Sequence, residues 1–371
     1  MENEINSEDI GESFMVEDPI IIYVDKEGKT RELEVDEEET ILDLSRKGVT
    51  MIDLETVIAI PELKELELGG NLLEEINLAP LSRCPSLLKL SLFKNQFKSI
   101  NLKPLEKCEG LEEINLGSNR IKAVDLKPIG SSKTLRRLRL FNNGLSDIDI
   151  SPLAGCENLE TLDIENNEIK TIDLTPLSNC SNFMQLNLMY NKLSSVDLVP
   201  LSNCTKLRFV YLHHNQLKTI DISPFKNCPD LRILRLGGNQ IEEIDLSPLS
   251  ICTELRRLGL AMNRLITLDI SPLAEAEQLS SLDLAGNRLT KIDLAPLENC
   301  EELTELYLFS DHPEENEFSE LDISPLFSCS ELEDFGVSDD TELHANKRLK
   351  DEDDVPLAIE ELLEENRIKW V

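Results

Sequence analysis

Three sets of side chains in this 371-residue sequence are of types that can do chemistry, and each recurs at a fixed spacing. Cys84, Cys108, Cys156, Cys180, Cys204, Cys228, Cys252, Cys300 and Cys329 have the chemistry for disulfides or for a soft metal. Asp53, Asp125, Asp149, Asp173, Asp197, Asp221, Asp245, Asp269, Asp293 and Asp322 form a column of oxygen donors of the kind Ca²⁺ takes. Arg, Tyr, Phe, Met and His residues cluster in the middle of the chain, the side-chain types that carry protein interfaces.

The first two sets have plainer explanations. The cysteine slot is filled by Ser132 and Ala276 in other copies, so a small side chain is what it requires. Stacked parallel side chains place sulfurs near one another without facing, which suits buried reduced thiols rather than disulfides or a metal ladder. The aspartate slot is held by Asn77 and Asn101 in two copies. Asn shares with Asp the ability to accept a backbone N–H two residues on, so the column is expected to make turns rather than bind Ca²⁺. His213 and His214, neighbours at a strand end, cannot converge on a metal as an i, i+4 pair does. A phosphate-binding P-loop, HExxH and a Gly-rich dinucleotide loop are all missing from the sequence. The expectation is a non-catalytic protein with neither metal nor cofactor.

The element that positions all three sets is a repeat. Asparagine recurs every 24 residues at Asn71, Asn95, Asn119, Asn143, Asn167, Asn191, Asn215, Asn239, Asn263 and Asn287. Around the first of these the unit reads Leu63, Leu66, Leu68, Asn71, Leu73, Ile76, Leu78, Pro80, Leu81, Cys84. Leu66 and Leu68 with Glu65 and Glu67 between them have the period of two of a half-buried strand. The return carries a proline, often after Ser or Thr, which reads as an N-cap with Pro at the first position of one turn of α or 3₁₀ helix. One such coil cannot bury its own apolar side, so the coils must stack and their strands must form a parallel sheet.

The pattern L-x-x-L-x-L-x-x-N-x-[LI], seen from Leu63 to Leu73 and from Leu231 to Ile241, resembles the leucine-rich repeat, in its short 24-residue class with Pro and Cys in the return. The resemblance implies an α/β solenoid: a curved, right-handed horseshoe with the parallel sheet on its concave face and short turns on its convex face. It also implies that the ten Asn side chains form a structural ladder between neighbouring coils, and that the protein is a scaffold or regulator.

In a coil starting at residue s, the positions s+2, s+4, s+6 and s+7 face the concavity. Mid-chain these slots hold Arg137, Arg139, Phe141, Met189, Tyr190, Phe209, Tyr211, His213, His214, Arg235, Arg257 and Met262. Packing does not require such residues in exposed slots, so they are expected to bind a protein partner, with the centre of the site at 189–262.

The net charge of −35 sits mainly at the ends: residues 1–62 carry 19 acidic and 5 basic side chains, residues 303–371 carry 21 and 5. So acidic a chain is repelled by nucleic acid and anionic membranes. Neither an 18-residue apolar run nor a signal-like start is seen, and the expectation is a monomeric cytoplasmic protein. The organisation expected is an acidic disordered tail (1–17), a hairpin and degenerate capping repeat (18–62) and ten repeats (63–302). An atypical last repeat with an acidic insertion (303–343) and a C-terminal capping helix (344–371) follow. Recruitment of a basic protein by the acidic ends is the alternative function.

Overall fold

Leu, Ile or Val at every second strand position, repeated at every turn of the chain, leaves each coil one apolar edge that only another coil can cover. A computed structural model describes residues 18–36, 38–309, 315–352 and 354–371. The expected tail at 1–17 and the first half of the acidic insertion, 310–314, lie outside the described residues. Thirteen three-residue strands, from Ile41–Asp43 and Glu65–Glu67 through to Glu305–Tyr307 and Asp334–Gly336, line up in one parallel sheet in coil order. Their register is uniform, so Leu186, Val210 and Leu234 stack beneath the sheet while Asn187, Tyr211 and Arg235 stack above it. Eleven 3₁₀ turns, each opening on the residue before a proline, form the opposite side of what is a curved solenoid. The core is continuous from Ile21 to Ile368.

The asparagines do what ten equal spacings implied. Asn191 lies buried, donates its amide to the Ile164 and Leu188 carbonyls at 3.0 and 3.1 Å, and accepts the Ile169 N–H at 3.1 Å. One side chain thus closes backbone groups on its own coil and on the preceding one, and the pattern repeats from Asn71 to Asn287. Asn316 is an eleventh member that the 24-residue count passes over. It accepts the Leu289 N–H and donates to the Leu284 and Leu308 carbonyls, five residues late, so the extra residues lie between Leu308 and Asn316.

The turn chemistry differs from expectation in one respect. Ser and Thr before the prolines are not N-caps. The helical turn starts one residue earlier, with a Leu or Ile in the cap position and the proline second in the turn, as in Ser247–Ile251. The capping oxygen comes instead from the aspartate column: Asp197, Asp221 and Asp245 accept the N–H two residues on at 2.9, 2.8 and 2.8 Å, and Asn77 does the same at 3.1 Å. Hydrogen bonds from the Ser151 hydroxyl and backbone hold the Asp149 carboxyl below its ordinary range, and those from Thr175 act likewise on Asp173. Since the carboxylates are occupied by their own turns, millimolar Ca²⁺ should leave the melting temperature within about 1 °C of its starting value. A large saturable rise, lost in Asp197→Asn with Asp221→Asn, would show a Ca²⁺ site.

At the start, Ile20–Val24 pairs antiparallel with both Thr30–Glu34 and Met51–Ile52, and the return after it is an α turn, Leu54–Val57, capped by Asp53. At the far end the apolar residues from Pro356 to Lys369 do not form one helix. The helix spans Leu357–Glu364 and buries Ala358, Ile359 and Leu362, while Leu357 points into solvent. Ile368–Trp370 is a strand beside Glu342–Ala345, which in turn pairs with Glu320–Asp322. Asn366, with φ of +56°, makes the bend between helix and strand.

Candidate protein-binding face

Side chains at s+2 and s+4 stand on the sheet, s+6 prolongs the same row, and s+7 forms the rim. The strand hydrogen bonding continues to that rim, as in His214 N–H to the Gly237 carbonyl at 2.9 Å. It forces a left-handed backbone there in coil after coil: Gly70, Lys94, Ser118, Asn142, Asn166, Gly238 and Gly286 all have φ between 50° and 69°. Gly and Asn adopt that region at low cost, bulky residues do not. Yet Tyr190, His214 and Met262 occupy it with φ of 52°, 55° and 53°.

These residues lie together. The Tyr190 and His214 rings stack with centroids 4.3 Å apart, and His213 meets Tyr190 and Tyr211 edge-on at 5.8 and 6.3 Å. Gly238 lets the His214 ring lie against the backbone, since a Cβ there would come within 2.6 Å of Nδ1. Burial, then the charges of His214 and Arg235, press His213 down to about 4, so its ring is neutral at physiological pH. Met189, at s+6, directly precedes Tyr190. Phe209 stands at s+2, half-buried, one strand from Ile233. Met262 and Tyr190 are 43% and 47% exposed, large apolar area left without cover.

Beside this cluster the sheet dips. Gly237, Gly259 and Ala261 leave a cavity of about 290 Å³, bounded on one side by His213, His214, Arg235 and Arg257 and on the other by Asp283, Glu305 and Tyr307. Gly259 is not demanded by packing, because a Cβ would sit 3.7 Å from Arg235 in ordinary contact. Burial raises the Tyr211 hydroxyl above its ordinary value, opposed by the nearby Arg235 and Arg257 charges. Burial likewise raises the Asp283 carboxyl.

Arg137, Arg139 and Phe141 are placed apart from this group. The two arginines are ion-paired, Arg137 to Glu113 and Glu160 at 3.6 and 3.4 Å and Arg139 to Glu113. Phe141 packs on Phe93 with centroids 5.8 Å apart, across Gly117, whose Cβ would strike its ring. Asp283 and Glu305 are the members of the recess that the repeat pattern alone passes over. Their signal was the register, which sets each of them two strands beyond an arginine. Among the described residues no group of three or more His, Cys, Asp or Glu could hold a metal, and no helix is long and apolar enough to cross a membrane.

Family comparison agrees with this architecture. The leucine-rich-repeat models match residues 157–217 and 205–265, the two-copy form matches 133–179, and a single-repeat form matches 278–300. The chain is a leucine-rich-repeat protein. No curated protein sequence matches it. Among solved structures it resembles an internalin, InlF of Listeria monocytogenes, at 27% identity and a TM-score of 0.61, over 83% of this chain and 90% of that one. The InlJ functional domain of the same organism, described as including a cysteine ladder, aligns at 22% identity and TM-score 0.62, over 85% and 66%. A plant peptide hormone receptor, RGFR1 in complex with RGF2, aligns at 18% identity and TM-score 0.67, over 94% and 59%.

Within a leucine-rich-repeat frame of such regularity, the strained rim is itself testable. Met262→Gly relieves a left-handed backbone worth about 1–2 kcal/mol and adds about 0.5–1 kcal/mol of glycine entropy, so the variant should be more stable by about 0.5–1 kcal/mol. Urea denaturation reads this directly. A variant less stable than wild type would mean that Met262 earns its place by packing.

Proposed function

We propose that this leucine-rich-repeat protein is a non-catalytic scaffold or regulator that binds another protein through its concave face, centred on residues 189–262. The observation that carries the reading is the rim. Tyr190, His214 and Met262 hold bulky, exposed side chains at backbone positions where five of the other seven repeats use Gly or Asn and the remaining two use Lys94 and Ser118, and each is held there against a conformational cost. Folding gains nothing obvious from that arrangement, whereas a partner would gain aromatic and sulfur-bearing contact area next to Arg235 and Arg257. The monomeric state and a cytoplasmic location belong to the same proposal.

The test is affinity capture from native cell extract with wild type, Tyr211→Ala and Arg235→Ala side by side. Each truncation should weaken a captured partner by about 2 kcal/mol, roughly 30-fold, with the melting temperature unchanged. Leu207, Val210 and Leu212 hold the core beneath, so the fold should be spared. If both variants retain the partner and deletion of residues 1–17 releases it, binding by the acidic ends is the better account.

A further inference from the structure

Five basic side chains stand in the two strand columns of the concave face: Lys89, Arg137, Arg139, Arg235 and Arg257. The first three are neutralised by glutamates on their own or adjoining coils. Arg235 and Arg257 are exposed and, among the described residues, have no ion-pair or hydrogen-bond partner. In a chain with a net charge of −35, two arginines left unpaired in one recess are a departure that composition does not explain.

The register sets an acid two strands along the row from each arginine, and Asp283, also the diagonal neighbour of Arg257 on the adjoining strand, makes no ion pair with it among the described residues. Arg235, Gly259 and Asp283 lie on three successive strands at one level, and Arg257, Ser281 and Glu305 do so at the next. In both rows the arginine and the acid are separated by one strand with a small residue, about 9.6 Å at the usual strand spacing. That gap floors the cavity described above. The recess is therefore dipolar, with a guanidinium edge beside the aromatic rim and a carboxylate edge beside Tyr307, and both rows point the same way.

From this arrangement we infer that the recess binds an extended peptide segment of the partner that carries an acidic side chain and, two residues on, a basic one. The inference rests on the concave-face reading. In an extended chain, residues two apart present side chains on one face about 6.6–7 Å apart, and the reach of Glu and Lys covers the remainder of the gap. The carboxylate would take the planar donors of Arg235 and Arg257, and the cation would meet Asp283 and Glu305. A polyanion such as nucleic acid or a doubly charged phosphate is repelled by the second edge, and a polycation by the first. An aromatic or aliphatic residue flanking the acid would lie on Tyr190 and His214.

The test uses the full chain and an array of end-blocked peptides, each with one Tyr and, to either side of it, Glu-x-Lys, Lys-x-Glu, Glu-x-Glu, Lys-x-Lys or Gln-x-Gln. Wild type should retain one mixed-charge order at least ten-fold more than any like-charged or neutral set. Arg257→Gln should reduce that retention at least ten-fold. The exchange Arg235→Asp with Asp283→Arg sets the two rows against each other and should abolish the preference between the two mixed-charge orders. Asp283 is largely buried, so if the exchanged chain melts below wild type, the exposed Arg257→Gln decides alone. Preference for Glu-x-Glu, equal retention of all sets, or no retention overturns the dipolar assignment. Loss of the captured partner in Tyr211→Ala would then leave the concave-face reading standing, and an undisturbed complex would remove that reading too.

Discussion

Replacing Asn191 by Ala should lower the unfolding free energy by about 3 kcal/mol, the upper end of the cost of stranding a buried polar group. Three backbone groups depend on this side chain, the Ile169 N–H and the Ile164 and Leu188 carbonyls, and the residue is 7% exposed, so water cannot replace it freely. Two coils are loosened at once. In a stack where each coil contacts only its neighbours, the loss falls on an interface that has no alternative partner. Asn143, which makes the same bonds but is only half-buried, should cost less on substitution. Urea denaturation of both variants makes the comparison, and equal stability of Asn191→Ala and wild type would refute a structural ladder.

A steep loss of stability above pH 9 is the second large effect. All nine thiols are buried and free, and from Cys108 onward their Sγ atoms point at carbonyls of the preceding coil, as in Cys180 to the Cys156 carbonyl at 3.4 Å. Burial pushes Cys108, Cys156, Cys228 and Cys300 up to about 11 and Cys180, Cys204, Cys252 and Cys329 up to about 12. The unfolded chain ionises from about 8.5. The native state thus holds protons that the unfolded state has released, so stability is full below about pH 8.5 and falls as pH rises toward the folded values. Each thiol contributes a slope of about 1.4 kcal/mol per pH unit, and eight together outrun a stability of 5–15 kcal/mol before about pH 11. The paired variant Cys180→Ala, Cys204→Ala, using the residue that Ala276 already places in this slot, should flatten the slope by about 3 kcal/mol per pH unit. Near neutral pH, thiol reagents should react fast only after denaturation. Fast labelling of several thiols in the native protein, or a flat profile between pH 8 and 10, would mean that the slot is open to solvent.

The recurrence of one unit made the coil legible. Leu66 and Leu68 specify a strand with one buried face, Asn71 needs neighbours on two coils, and Cys84 exchanges with Ser132 and Ala276 because the slot asks only for small volume. Each of these requirements is met within a coil or by the next one, and a 24-residue period reports both. The turn was half legible. Asn77 standing in for Asp revealed the oxygen acceptor, but its bond to the second N–H displaces Ser and Thr from the cap, a competition that local preference does not resolve. Asn316 was hidden by five added residues, though its place is the ladder position delayed by that number.

What the sequence determined by itself is therefore the stack: the parallel sheet, the Asn ladder, the buried cysteines and the Asx-opened turns, all set by nearest-neighbour repetition. What the tertiary structure decided is which concave side chains remain available. Arg137 and Arg139 belong to the same residue class and the same columns as Arg235 and Arg257, yet the former are ion-paired to Glu113 and Glu160 on adjoining strands, whereas in the rows of Arg235 and Arg257 a Gly or Ser stands between the arginine and the acid and no ion pair forms among the described residues. The left-handed rim is likewise invisible to residue types, since Tyr190, His214 and Met262 would not choose it. Ladder hydrogen bonds between coils impose that backbone, and distances across strands, rather than order along the chain, set which charges meet.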